Sequence, residues 1–180
     1  MDNLAVTGCR AELDTGRKGL TIAVLGELDA LCLPGHPNAD LETGAAHACG
    51  HNFQIATMLG TAIALTQASI KDKLVGKIVF IAVPAEESLA DKECETLIKT
   101  GKIKFSGGKQ EMIRLGVFDD VDAAIMVHSS NQYQCPASYN GYFRKKIIFK
   151  GKSVHAAFCP EDGVNALYAA NIALSVINAQ

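Results

Sequence analysis

The chain has 180 residues, 48% of them hydrophobic, which is enough for one globular core and the beginning of a second domain. Its 17 lysines and arginines against 19 aspartates and glutamates leave a formal net charge of -2 with no basic run to neutralise phosphates, which excludes nucleic acid as an expected partner. No window approaches the ~18 uninterrupted apolar residues of a membrane span, and the opening MDNLAVTGCRAELDTG lacks the layout of a secretory signal, so a cytoplasmic protein is expected.

In chain order, LTIAVLG (20–26) is a continuous apolar run ending in glycine, as in a strand buried on both faces. FQIATMLGTAIALTQASI (53–70) sets Ile55, Met58, Leu59, Ala62 and Ile63 at helical spacing, with Asn52 where an N-cap belongs. KIVFIAVPAEE (77–87) repeats the buried-strand texture. KECETLIKTG (92–101) and KQEMIRLGVF (109–118) read as helices, each closed by a glycine suited to the left-handed C-terminal position. VDAAIMVHSS (121–130) is a third buried strand. Strands alternating with helices predict an α/β domain built on a mainly parallel sheet flanked by helices. The six cysteines, Cys9, Cys32, Cys49, Cys94, Cys135 and Cys159, have no paired spacing and are expected, for the most part, as small buried hydrophobes rather than a disulfide framework.

After His128 the texture becomes polar and turn-rich in SSNQYQCPASYNG, which places a domain boundary near Asn140, between 1–140 and 141–180. YFRKKIIFKGK (142–152) is expected as a strand, and 161–180 as a helix with Val164, Leu167, Ile172 and Leu174 as its apolar positions. One strand and one helix cannot close a core, so the second domain is expected to be incomplete.

Ligands of open α/β sheets bind beyond the carboxyl ends of the strands. Asp29 follows the first strand, Glu86 and Glu87 the second, and His128 ends the third, while HACGH (47–51) opens the first helix. Cys49 and His51 diverge on a helix but converge in a loop around Gly50. Thiolate, imidazole and carboxylate together suit Zn²⁺, Mn²⁺, Co²⁺ or Ni²⁺ better than Ca²⁺ or Mg²⁺, and Cys49, His51, Glu87 and His128 are enough to ligate one such ion. Of two adjacent glutamates, one can bind metal while its neighbour takes a proton from water, which suits hydrolysis. A competing reading makes Cys49 a nucleophile activated by His51 or His47, and leaves the paired glutamates without a role.

GELDAL, GAAHACGHN, VPAEE, MVHSS and GKSVHAAFCPEDGVNAL stand in the order and spacing of a metal-dependent amidohydrolase and peptidase family of the zinc-exopeptidase group, and the chain resembles that family from about Val6 to Gln180. The family includes N-acyl-amino-acid amidohydrolases, hippurate hydrolase and the aminobenzoyl-glutamate hydrolases. The resemblance implies a zinc-exopeptidase-like catalytic domain followed by the first strand and helix of an α+β lid and dimerisation domain, and a homodimer through that lid. It assigns Cys49, His51, Glu87 and His128 to one or two divalent ions, with Zn or Mn foremost. Glu86 becomes the general base, and Asp29 a support behind the ligands. His155 becomes a lid histidine that reaches the active site of the other protomer and helps hold a developing oxyanion there, with Asn165 beside it. His47 is expected to be a neighbour of the ligands, His36 a loop residue, and the lid pair His155 and Asn165 has a plainer alternative as helix caps.

The chain departs from the family's His-Asp-x-His with His51-Asn52-Phe53-Gln54, which a branch resembling aminobenzoyl-glutamate hydrolase tolerates. It also lacks a further metal-binding histidine that the family places after the lid. The resemblance therefore implies hydrolysis of an amide in an N-acyl amino acid, an aminobenzoyl-glutamate or a small dipeptide. The alternative is a truncated, non-catalytic piece of such an enzyme that folds or oligomerises without activity.

Overall fold

The computed structural model describes residues 1–87, 91–135, 138–139, 141 and 145–179. In chain order the elements are β1 (Cys9–Asp14), β2 (Thr21–Glu27), the two-residue strands β3 (Leu31–Cys32) and β4 (Ala45–Ala46), α1 (His51–Thr66), α2 (Ala68–Lys71), β5 (Lys77–Val83), α3 (Asp91–Lys99), α4 (Gly108–Arg114), β6 (Ala123–Met126) and α5 (Ala166–Asn178). They fall into two units, Met1–Tyr133 and Gln134–Gln180.

The three apolar runs become the parallel strands β5, β2 and β6, with β2 between the other two. Their register sets Thr21 opposite Lys77 and Glu27 opposite Val83, and on the other side Leu25 opposite Met126. β1 closes the far edge of β5 as an antiparallel strand, pairing Cys9 with Ala82 and Asp14 with Lys77. Nothing in CRAELD announces that strand, because Leu13 is its one buried residue. Alternation across the sheet divides the core. Ala23, Leu25, Val79, Ile81 and Val83 pack with Met112 of α4 and with Val117, whereas Leu13, Phe80 and Ala82 pack with Met58 of α1.

Gly101 and Gly116, which follow α3 and α4, take the left-handed conformation with φ of 71° and 75°, as their positions predict. Other expectations are corrected. α1 starts at His51 and is capped by Gly50, so Asn52 is an exposed residue of the first turn, not a cap. The buried stripe of α1 runs through Ile55, Met58, Ala62 and Leu65, while Leu59 and Ile63 face solvent, because helix and sheet meet along one narrow line. None of the six cysteines is buried, and all are free.

In the second unit, the strand expected over 142–152 is absent across its described part. Residues 145–150 have no regular structure, and 142–144 lie outside the described residues. Ile147 and Ile148 are exposed, and the backbone there finds no partner strand beyond an isolated bridge between Lys152 and Val164. α5 begins at Asn165, whose Oδ1 accepts from the Tyr168 amide at 3.0 Å, and buries none of its residues.

Glu111 on α4 shows how polar groups fasten this fold. It is fully buried, its Oε2 accepts from the amides of Lys104 and Phe105 at 3.0 Å each, and its Oε1 accepts from Arg114. The Arg114 hydrogen bonds, with help from the two amides, hold its pKa down to about 2. Glu111→Ala leaves those donors unpaired and is expected to cost about 3 kcal/mol in urea unfolding near neutral pH. The folded carboxyl titrates near 2 and the unfolded one near its ordinary 4.5, so the unfolded chain takes up its proton first as pH falls. The difference between wild type and variant should be full above about pH 4.5 and shrink toward pH 2.

Candidate metal centre

Because β2, β5 and β6 run parallel, their carboxyl ends open on one side of the sheet. Glu27 is the last residue of β2, with Asp29 just beyond it. Glu86 and Glu87 lie past the end of β5, and His128 lies past β6. α1 delivers His51 as its first residue. The chain enters that helix through Gly50 at φ 98°, with no side-chain cap, and this sharp turn brings Cys49 and His51 together. A Cβ on Gly50 would lie 2.5 Å from Ser129 Oγ, which itself donates to the Cys49 carbonyl at 2.9 Å.

The ligand atoms of Cys49, His51 and His128 all lie within 4.8 Å of one another, with Cys49 Sγ 3.5 Å from His128 Nε2. Glu27, His51 and Glu86 form a second such group, sharing His51. His51 is 1% exposed. Its Nδ1 sits 3.0 Å from both the carbonyl oxygen and Oδ1 of Asp29, and alignment with the carbonyl assigns the proton to Nδ1. Nε2 is left with a lone pair facing acids: Glu27 Oε2 at 3.0 Å, and Glu86 Oε2 and Glu87 Oε1 at 3.9 Å. None of these approaches is aligned as a hydrogen bond, and Nε2 has no hydrogen-bond partner among the described residues. Asp29 does more than hold His51, since its Oδ2 accepts from the Glu87 amide at 2.7 Å and so fixes two candidate ligands at once.

Three buried polar atoms lack a hydrogen-bond partner among the described residues: Asp29 Oδ1, His51 Nε2 and Glu87 Oε1. Such groups are costly in a folded protein, and a cation among them would satisfy all three. The donor set of thiol, imidazoles and carboxylates fits a divalent transition metal. The electrostatics agree. The Cys49 thiol is pushed up to about 11, first by its hydrogen bond to Glu87, then by burial and by the charges of Glu87, Glu86 and Glu27. A thiolate here requires a cation beside it. Burial, and next the charge of Glu27, raise the pKa of Glu86 above the usual carboxylate value, the direction that favours a proton acceptor working near neutrality.

The first unit thus gathers Asp29, Cys49, His51, Glu86, Glu87 and His128. His155 and Asn165 belong to the second unit, where His155 Nδ1 accepts from the Ala157 amide at 3.2 Å, its ring lies 4.6 Å from that of Phe158, and Asn165 caps α5. His47 is exposed and joins neither ligand group, and His36 is a loop residue whose Nδ1 accepts from the Asn38 amide. Sequence reasoning missed Glu27, although it stands inside GELDAL as an acid closing a buried strand. It also missed the purpose of Gln54, whose amide accepts from the Glu27 backbone N–H and donates to Glu27 Oε2, both at 3.0 Å.

A mainly parallel sheet with thiol, imidazole and carboxylate groups collected at its strand ends defines a metal-binding α/β domain. Residues 23–143 match the sequence profile of Peptidase family M20/M25/M40, and the chain belongs to that family. It is 32% identical over 180 residues to a p-aminobenzoyl-glutamate hydrolase homolog of Haemophilus influenzae, covering 91% of this chain and 38% of that protein. It is 34% identical over 189 residues to the indole-3-acetyl-aspartic acid hydrolase of Enterobacter agglomerans, covering 96% and 39%. Among solved structures, the YXEP protein of Bacillus subtilis, a dinuclear metal-binding peptidase from the M20 family, matches with a TM-score of 0.51 and 30% identity over 69% of this chain and 30% of that one. The chain thus spans about two fifths of the length of the curated relatives it matches.

Gly50→Ala tests the turn that builds the site. The substitution places a side chain at φ 98° and against Ser129, so metal affinity, read by titration with Zn²⁺, should fall about 10- to 100-fold while the sheet stays folded by circular dichroism.

Proposed function

We propose that this chain carries the metal centre of a cytoplasmic amidohydrolase or peptidase that cleaves the amide of an N-acyl amino acid, an aminobenzoyl-glutamate or a small dipeptide. The observation that carries the reading is the set of buried, unpartnered atoms of Asp29, His51 and Glu87, facing the same cluster as Cys49 and His128. In this reading Cys49, His51, Glu87 and His128 hold a divalent ion, Zn²⁺ or Mn²⁺ by preference and Co²⁺ or Ni²⁺ as substitutes. Such an ion polarises the amide carbonyl and acidifies water. Glu86 accepts the proton of the attacking water and returns it to the leaving amine nitrogen, giving a carboxylate and a free amine. Asp29 holds the His51 ring and the Glu87 backbone in place. His155, from the second unit, is the candidate donor toward the developing oxyanion. Asn165 has its Oδ1 engaged as a helix cap. The thiol-nucleophile reading loses ground, because the acids around Cys49 oppose the thiolate that it needs.

One observation favours the second reading, a chain that binds metal without turnover. β6 is exposed along its length and α5 buries nothing, so apolar surface stands uncovered in each unit. Turnover of N-acyl amino acids by the isolated, metal-loaded chain decides between the two.

Elemental analysis of the purified chain should find a bound transition metal that a Cys49→Ala variant loses. Glu86→Gln should retain the metal and lower kcat on the best substrate of a panel about 10²- to 10⁴-fold; joint loss of metal and turnover would instead make Glu86 a ligand. We also assign the exposed apolar residues of α5, Leu167, Ile172 and Leu174, to self-association through the second unit. Sedimentation should show dimers or larger species that Leu167→Glu with Ile172→Glu dissociates, and a monomeric wild type would remove that assignment.

A further inference from the structure

Glu27 is 1% exposed and engaged on every side. Its Oε2 accepts from Gln54 Nε2 and faces His51 Nε2, each at 3.0 Å, and its Oε1 is in direct ion-pair contact with the ammonium of Lys109, from the first turn of α4. A buried carboxylate needs a positive charge beside it. Two partners can meet that need, a metal ion or a tethered ammonium. Glu27 with His51 and Glu86 forms a ligand group of its own, separate from that of Cys49, His51 and His128, so the residues outline two adjacent cation positions. The two groups share His51, however, and His51 has a single lone pair to offer because Nδ1 is turned to Asp29. Given to the Cys49 and His128 position, that lone pair leaves only Glu27 and Glu86 for a second ion, and Lys109 already neutralises Glu27.

We infer that the Lys109 ammonium fills the second cation position, so that this chain holds one divalent ion, on Cys49, His51, Glu87 and His128, where its structural relative from Bacillus subtilis holds two. The inference rests on the metal-binding reading proposed above and adds the count. Lys109 is a positioning residue: its side chain is 32% exposed, so the ammonium keeps contact with water while its tip reaches the buried acid. No sequence pattern announces it, since Lys109 and Glu27 meet only when α4 packs beside the end of β2.

The test is a count of ions on the whole chain, stripped with a chelator and titrated with Zn²⁺ by calorimetry, with elemental analysis after dialysis. Wild type should bind one ion per chain. Lys109→Met, which keeps the stem and removes the charge, should bind two and hold the first about tenfold more tightly, and Lys109→Arg should return the count to one. With Mn²⁺, wild type should give the spectrum of an isolated ion by electron paramagnetic resonance, and Lys109→Met that of a coupled pair. Two ions on wild type would overturn the inference while leaving the metal reading intact, as would a folded Lys109→Met that still binds one. No ion on wild type or on Lys109→Met would overturn both. The wild-type count and its Mn²⁺ spectrum decide the matter even if Lys109→Met fails to fold.

Discussion

Everything at the candidate site depends on β2 lying between β5 and β6 with all three strands parallel. That arrangement brings three carboxyl ends side by side, and each end carries an ionisable residue that its neighbours cannot ignore. An antiparallel β5 or β6 would have carried Glu86 and Glu87, or His128, to the opposite edge. The apolar composition of TIAVLGE and KIVFIAV makes the parallel pairing stable, because both faces are covered, by α1 on one side and α4 on the other. Hydrophobic burial thus does the placing, and polar chemistry occupies the place.

Once the ends are together, hydrogen bonds set the finer geometry. Asp29 holds the ring of His51 and the backbone of Glu87, Gln54 holds the backbone and carboxylate of Glu27, and Ser129 holds the loop of Cys49. These supporting residues fill their own hydrogen-bonding capacity while leaving ligand atoms of His51 and Glu87 bare. A rigid cage with unfilled acceptors is what a metal site needs before the metal arrives, and it explains why so many acids tolerate each other in so small a volume.

Much of this was readable along the chain. Continuous apolar runs marked the three parallel strands, helical spacing marked α1, and glycines at the ends of α3 and α4 marked their stops. The candidate residues were readable because they follow strands directly: Asp29, Glu86, Glu87 and His128 are each a few residues past an apolar run. Illegible were features that exist only between distant segments. β1 is polar in sequence and becomes a strand because β5 offers a bare edge, and Lys109 gains its meaning from Glu27. The strand expected over 142–152 failed for the converse reason: β-favouring residues without a partner strand have nothing to pair with. Asn52 was misplaced because Gly50 alone tolerates the left-handed entry that the helix requires.

The sheet order also dictates the sequence of events as the chain leaves a ribosome. β1 is synthesised first, yet its only ladder partner is residues 77–82, and β2 likewise gains its first neighbour from β5. The emerging N-terminal half therefore carries two unpaired strands and the apolar stripe of α1 until β5 appears, and it collapses only when that central strand completes three elements together. The growing chain passes through a long vulnerable interval, in which a holding chaperone has most to offer before residue 83 has been made.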